Sequence, residues 1–292
     1  MGCRIAIGES LTSAFSRIAA AEIELAGVEL CRSQNGETVH NARKSLKRLR
    51  ALLRAMREAL PKDLYRAENR RLGHAGRELS PLRDVIVQLR TLGKLKAAGS
   101  PAGSHLLHQL RHRQFFLLRR IPAQSQSVRA MLEASGHSLA AWPRREATAD
   151  DLAAGLKRVY SQGRKAFKTA RMSPTAAHWH ELRKKAKSLG YGLELVREII
   201  PKKLCRMLDH CDDLTEALGD DHDLVMAQKA LDKEHRAHPA RGLGALPKRI
   251  DGKRAALRKR IRKLAPGVFG DKPGAFHKRL RRHLRRAERK SL

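Results

Sequence analysis

This chain contains few aromatic residues, few cysteines and no long apolar run. Aromatic residues make up 4% of the 292 residues. Proteins that hold single-stranded nucleic acid usually stack bases on such rings, so a stacking platform is hard to build here. The four cysteines have no CxxC spacing and are too sparse for a disulfide framework, which favours a reducing cytoplasm. We expect no membrane span and no signal peptide.

The usual catalytic motifs are also absent. The sequence contains no GxxxxGK[ST] loop, no GxGxxG, no HExxH and no GxSxG. We therefore expect a protein that is not an enzyme and that needs neither a cofactor nor a metal ion.

Positive charge dominates what is present. Lysine and arginine number 62 against 29 acidic residues, which gives a formal net charge of +33. Such a chain repels itself strongly, so a polyanionic partner is expected. Nucleic acid, a phosphate polymer and an anionic membrane surface all fit this requirement.

The sequence predicts an all-α fold. Leu, Ala, Arg, Lys and Glu dominate, apolar residues recur at spacings of three and four, and alternating β-branched segments are missing. The predicted helices cover residues 10–33, 37–59, 62–98, 103–121, 126–135, 149–171, 175–199, 202–237, 245–265 and 273–290. The connection between the two halves of the chain is expected between 135 and 150, and a second break in the helices between 237 and 247.

One basic motif occurs twice, as HNARKSLK from His40 and as HELRKKAK from His180. The same offset of 140 residues relates Pro61 to Pro201, and an offset of 139 relates Asp84 to Asp223. This coherence indicates an internal duplication, with a first half of about 1–140 and a second half of about 148–292.

Each copy forms a helix with a basic face and an apolar face. In the first copy the cations fall within an arc of roughly 160°, opposite Leu46, Leu49 and Leu53. No acid lies between His40 and Arg54, so like charges repel along the helix unless an anion compensates them. We therefore predict an anion-binding face, although a solvated charged face is the simpler alternative. The candidate residues are His40, Arg43, Lys44, Lys47, Arg48, Arg50 and Arg54, followed by His180, Arg183, Lys184 and Lys187.

Two histidine clusters suggest metal chemistry, and neither pattern is convincing. His105, His108 and His112 share a helix face, but no acidic residue accompanies them in the sequence. A phosphohydrolase site around His222 and Asp223 is a further alternative. The position that aligns with His222 in the first half is Arg83, which cannot bind a metal. We interpret Asp84 and Asp223 as acids that orient a neighbouring cation.

The duplicated pattern HxxRKxxK, followed by a proline, a long helix and an (Arg/His)-Asp pair, resembles the conserved-histidine α-helical domain, the CHAD family. The resemblance covers nearly the whole chain and implies a single CHAD domain. It implies two four-helix bundles related by a pseudo-twofold axis, with basic helices that face a central cavity or pore. A triphosphate tunnel motif is not found, so the implied protein is the stand-alone member.

The family resemblance implies that inorganic polyphosphate binds in this cavity and that the protein lies in the cytoplasm, on polyphosphate granules. Arg83 and His222 would join the two motifs at the site. The second copy departs from the family, because Gly190 stands where Arg is usual. The alternative function is binding of RNA or DNA without sequence preference. Residues 273–292 form either a last packed helix or a basic tail for RNA or acidic lipid.

Overall fold

The computed structural model describes residues 3–32, 35–139 and 145–289, and this part of the chain is helical without a strand. The all-α prediction is confirmed. The helices are α1 Leu11–Cys31, α2 Gly36–Ala55, α3 Lys62–Glu78, α4 Ser80–Lys94, α5 Pro101–Leu139, α6 Ala149–Met172, α7 Ala176–Leu195, α8 Lys202–Ala237, α9 Leu246–Phe269 and α10 Pro273–Glu288, with short 3₁₀ turns at Arg57–Ala59 and Ala97–Gly99. Within the described ranges, no helix is both long and apolar enough to cross a membrane.

Local side chains determine where several helices begin. The Asn35 side chain accepts hydrogen bonds from the backbone N–H groups of Glu37 and Thr38 at 2.9 and 3.1 Å, which caps α2. Thr148 and Asp151 form a reciprocal capping box at the start of α6. Such caps satisfy backbone donors that have no partner within the helix. The first residue of the basic helix α2 is therefore defined by its own sequence.

The predicted helix 62–98 is two helices, α3 and α4, and this prediction was wrong. Pro81 lies in the first turn of α4 and cannot donate the hydrogen bond that would continue α3. In the second half the aligned position is Asp220, and α8 continues through it.

The predicted helices 103–121 and 126–135 form one helix, α5, with Pro122 inside it. Ile121, Val128 and Leu132 are all buried, so packing on both sides of the proline offsets its missing hydrogen bond. The predicted connection 135–150 includes residues 140–144, which lie outside the described residues. The predicted break after 237 is confirmed between α8 and α9.

Two apolar clusters form the interior. The larger one takes residues from α1, α2, α3, α6, α7, α10 and parts of α4, α5, α8 and α9. The smaller one joins α4 to the first turns of α5, the end of α8 and the start of α9. Helix α5 therefore runs from one cluster to the other.

Helix α10 packs on α6 and is not a free tail. Tyr160 stacks on Phe276, with ring centroids 4.3 Å apart. The Asp150 carboxylate accepts hydrogen bonds from both Arg281 and Arg285 at 2.5 to 2.8 Å, and these two arginines hold the pKa of Asp150 well below its usual range. Two arginines of α10 therefore have a protein partner on α6 at this contact.

Candidate anion-binding site

A cleft of about 360 Å³ lies between α2, α6 and α7. Cations dominate its walls, because the basic faces of α2 and α7 both contribute to it. Six of the predicted site residues line this cleft: Lys47, Arg50, Arg54, Arg183, Lys184 and Lys187.

Sequence reasoning missed the remaining lining residues. Tyr191 lies one helical turn after Lys187, so the spacing along α7 could have revealed it. Lys185 forms a 3.0 Å hydrogen bond with Gln162, which α6 brings to the cleft and which no sequence signal could have indicated. The complete set of missed lining residues is Val159, Gln162, Glu181, Lys185, Ser188 and Tyr191.

Seven predicted residues lie outside the cleft lining: His40, Arg43, Lys44, Arg48, Arg83, His180 and His222. Arg48 is directed toward α1, where it forms an ion pair with the buried Glu22 carboxylate at 3.1 Å. Lys44 is exposed on the surface of α2. Burial lowers the pKa of His40 to about 4, and positive charge on neighbouring cations lowers it further, so these residues share one electrostatic environment. The cations are Arg83, Lys47, Lys44 and Lys187.

The two motif arginines have different surroundings. Arg43 donates hydrogen bonds to the Ser80 hydroxyl at 2.6 Å and to the Gly76 carbonyl, at the junction of α3 and α4. Arg183 lies against Gly219, and its buried Nε–H has no hydrogen-bond partner. Burial lowers the pKa of both arginines. A buried donor without an acceptor is costly, so Arg183 is suited to an anionic ligand.

The motif lysines are crowded by like charge. Burial lowers the pKa of Lys47 to about 7, and repulsion from Lys187 and Arg43 adds to this effect. Burial and Arg183 lower the pKa of Lys187 to about 8. Desolvation and neighbouring cations both disfavour the charged ammonium, and an anion in the cleft would oppose both effects.

The histidines of the second copy form a pair. The Nδ1 atoms of His180 and His222 lie 3.2 Å apart, and the ring centroids are 4.2 Å apart. Burial and the neighbouring His180 lower the pKa of His222 to about 4, and burial lowers the pKa of His180. For a hydrogen bond between two neutral rings, one Nδ1 carries the proton and the other accepts it.

Asp84 and Asp223 are both partly buried beside motif arginines. Burial raises the pKa of each carboxyl group, and the positive charge of a motif arginine opposes the rise, Arg43 for Asp84 and Arg183 for Asp223. The Asp223 carboxylate also lies 3.9 Å from Arg90. These contacts support the interpretation that the acids orient neighbouring cations.

His105, from the histidine face of α5, meets residues that are distant in sequence. The His105 Nδ1 lies 2.6 Å from the Glu234 carboxylate, which is buried on α8. The expectation that no acid accompanies these histidines was therefore wrong for His105. With His238, this is the one group of three potential metal ligands in the described residues. The Arg241 guanidinium lies 3.1 Å from both His105 and Glu234, so a metal ion would compete with it.

The CHAD domain family model matches residues 10–232, and the chain belongs to this family. No curated protein matches it. The fold is similar to the CHAD domain of the plant Ricinus communis, with 22% identity, a TM-score of 0.64 and coverage of 94% of this chain and 95% of that one. It is also similar to PptA from Streptomyces chartreusis, with 16% identity, a TM-score of 0.56 and coverage of 88% and 99%. These likenesses show the fold. The duplication into two related bundles and a central cavity stay predictions.

Proposed function

We propose that this protein binds inorganic polyphosphate in the cleft between α2 and α7 and does not catalyse a reaction. The observation that carries the proposal is the cleft of about 360 Å³ into which both motif helices bring cations, Lys47 from α2 and Lys187 from α7 among them. Burial and like charge lower the pKa of these lysines to about 7 and about 8. A polymer with about one negative charge per phosphate would favour the charged form of both lysines.

The arginines of the cleft would provide hydrogen bonds of defined direction to the phosphate oxygens. Arg183 lines the cleft and its Nε–H has no protein acceptor among the described residues, so its guanidinium can turn toward a phosphate oxygen without breaking a hydrogen bond at Nε. Guanidinium groups can hold two phosphate oxygens at once, whereas lysine acts as a point charge. Binding should also weaken steeply with salt, because counterion release drives part of it.

Nucleic acid is the weaker candidate for this cleft. Tyr191 is the single aromatic side chain among the residues that line it. Bases held by a charged groove usually stack on several rings, and each stacked base contributes about 1–3 kcal/mol. A phosphate polymer without bases needs no such rings.

Calorimetric titration tests the proposal. The protein, stripped of nucleic acid at high salt, is titrated with long-chain polyphosphate, single-stranded RNA and duplex DNA at one physiological salt concentration. We expect the tightest binding for polyphosphate and a loss of most of it in Lys47→Ala/Arg183→Ala. The matched control is Arg282→Ala/Arg286→Ala, which removes two exposed charges from α10. Equal losses in both double variants would show that net charge alone sets the affinity.

The absence of catalysis is tested separately, with polyphosphate and divalent cations. We expect no release of phosphate by the purified protein. Release that depends on His222 would instead support the phosphohydrolase alternative. Association with polyphosphate granules is part of the proposal, and a fluorescent fusion should lose it when Lys47 and Arg183 are replaced.

A further inference from the structure

The middle of α5, residues 111–120, contains no buried residue. Leu110 before it belongs to the smaller apolar cluster and Ile121 after it to the larger one. Phe115 and Phe116 lie in this segment and are 57% and 50% exposed. Two of the chain's six phenylalanines therefore stand side by side at the surface.

Cations and rings alternate around the exposed side of this segment. Each phenylalanine has a cation or an imidazole one helical turn before it and one turn after it. These neighbours are Arg111 and Arg119 for Phe115, and His112 and Arg120 for Phe116. The Arg119 guanidinium carbon lies 5.8 Å from the Phe115 ring centroid, and the His112 and Phe116 centroids lie 4.6 Å apart.

The sequence around this segment contains no acidic residue, and in the fold Asp84 of α4 is near Arg113. Residues 85–132 include neither Asp nor Glu. The arginines at 111, 113, 119 and 120 therefore have no acidic neighbour on their own helix within a turn. A partner with many negative charges would complement the segment, whereas a second copy of this basic chain would be repelled.

We propose that residues 111–120 bind single-stranded nucleic acid. Bases stack on Phe115 and Phe116, and the arginines between and beside the rings donate hydrogen bonds to the phosphates. The low overall aromatic content does not predict this arrangement, because two of the few rings lie together on one exposed turn of α5.

The alternation of rings and cations favours nucleic acid over a lipid surface. Helices that lie on membranes separate an apolar face from a basic face, so that one side enters the acyl region. Here Leu117 and Leu118 are half-buried against the protein, and the exposed side mixes rings with charges. A flat apolar stripe is therefore not presented.

Fluorescence anisotropy with a labelled 20-nucleotide oligouridine tests the site in the full chain. We expect Phe115→Ala/Phe116→Ala to weaken RNA binding about tenfold or more. Each base stacked on a ring contributes about 1–3 kcal/mol, and this double variant loses two such contacts. The matched variant Phe115→Leu/Phe116→Leu keeps exposed apolar side chains but removes the rings, and it should weaken binding similarly. Both variants should bind polyphosphate like the unchanged protein, which separates this site from the cleft.

Two results would overturn the proposal. Unchanged RNA affinity in both double variants would show that the rings take no part in binding. If the leucine variant keeps its RNA affinity and also binds vesicles of anionic lipid, the segment would be assigned to a membrane surface. Circular dichroism and the melting temperature of each variant confirm that the exposed substitutions leave the fold intact.

Discussion

The two copies of the basic motif, on α2 and α7, keep the same histidine, arginine and two lysines but differ in the cations that follow. At the offset of 140 residues, the first copy has Arg48, Arg50 and Arg54 where the second has Ser188, Gly190 and Glu194. The additional arginines of α2 contact protein groups. Arg48 pairs with Glu22 at 3.1 Å, Arg50 donates to the Asn69 side chain at 3.1 Å, and Arg54 donates to Ser188 at 3.0 Å.

This difference separates cations that have protein hydrogen-bond partners, Arg50 and Arg54 in the cleft wall among them, from those cleft lysines that have none in the described part of the chain. Lys47 and Lys187 are kept in both copies, and they are the lysines whose pKa values burial lowers. The shared arginines differ in turn, because Arg43 is hydrogen-bonded to the α3–α4 junction and the buried Nε–H of Arg183 has no partner. The second copy is thus less basic but leaves its arginine more available.

The largest effect is expected from the two motif arginines. Arg183→Ala should weaken polyphosphate binding about 10- to 100-fold, because a charged hydrogen bond contributes about 1.5–3 kcal/mol. Arg43→Ala should cause a smaller loss, since that guanidinium already has protein partners. Calorimetric titration of both variants checks this order. Equal losses would mean that the two copies bind the polymer equivalently.

The same two variants should rank in the opposite order in their loss of stability. Arg43→Ala removes hydrogen bonds to Gly76 and Ser80 and should lower the free energy of unfolding by about 1 kcal/mol. Arg183→Ala removes a buried donor without a hydrogen-bond partner, and Asp223 keeps Arg90 at 3.9 Å, so stability should change little. Urea denaturation of the ligand-free proteins measures both values. A larger loss for Arg183→Ala would contradict the assignment of Arg43 as the packed arginine.

The pH dependence of binding distinguishes the two lysines. A bound polyanion favours the ammonium form and raises the pKa of each lysine, so affinity is highest below the free pKa and falls as the pH rises through it. The fall should begin near pH 7 for Lys47 and near pH 8 for Lys187. Lys47→Arg, which stays charged, should flatten the several-fold decrease between pH 7 and 8. Lys44→Arg is the matched control on the exposed side of α2.

The smallest expected effect concerns Gly190, which replaces the arginine of the first copy. A Cβ there would lie 3.8 Å from the Cys211 Cβ, an ordinary contact. Gly190→Ala should therefore raise the free energy of unfolding by about 0.5–1 kcal/mol through helix propensity alone. Thermal denaturation measures the change, and polyphosphate affinity should stay the same. A loss of affinity without a loss of stability would show that the second copy needs a glycine for ligand approach.

The sequence predicted the helical class and most helix boundaries because these depend on spacings of three and four residues. It failed at Pro81 and Pro122, where the same residue type ends a helix in one place and lies inside α5 in the other. Neighbours from other helices decide that outcome. The same limit applies to Arg48. The helical wheel assigned it to the anion-binding face, but in the structure it forms an ion pair with Glu22 of α1.

By itself, the sequence determined that the chain is helical, that two helices carry one basic motif, and that a polyanion is the expected partner. Only the tertiary structure decided which cations share the cleft, which have protein partners and which have a lowered pKa. Lys47 and Lys187 lie 140 positions apart, and Glu234 meets His105 from 129 positions away. Charge and spacing are local properties of a chain, whereas desolvation and mutual repulsion depend on the distances that folding creates.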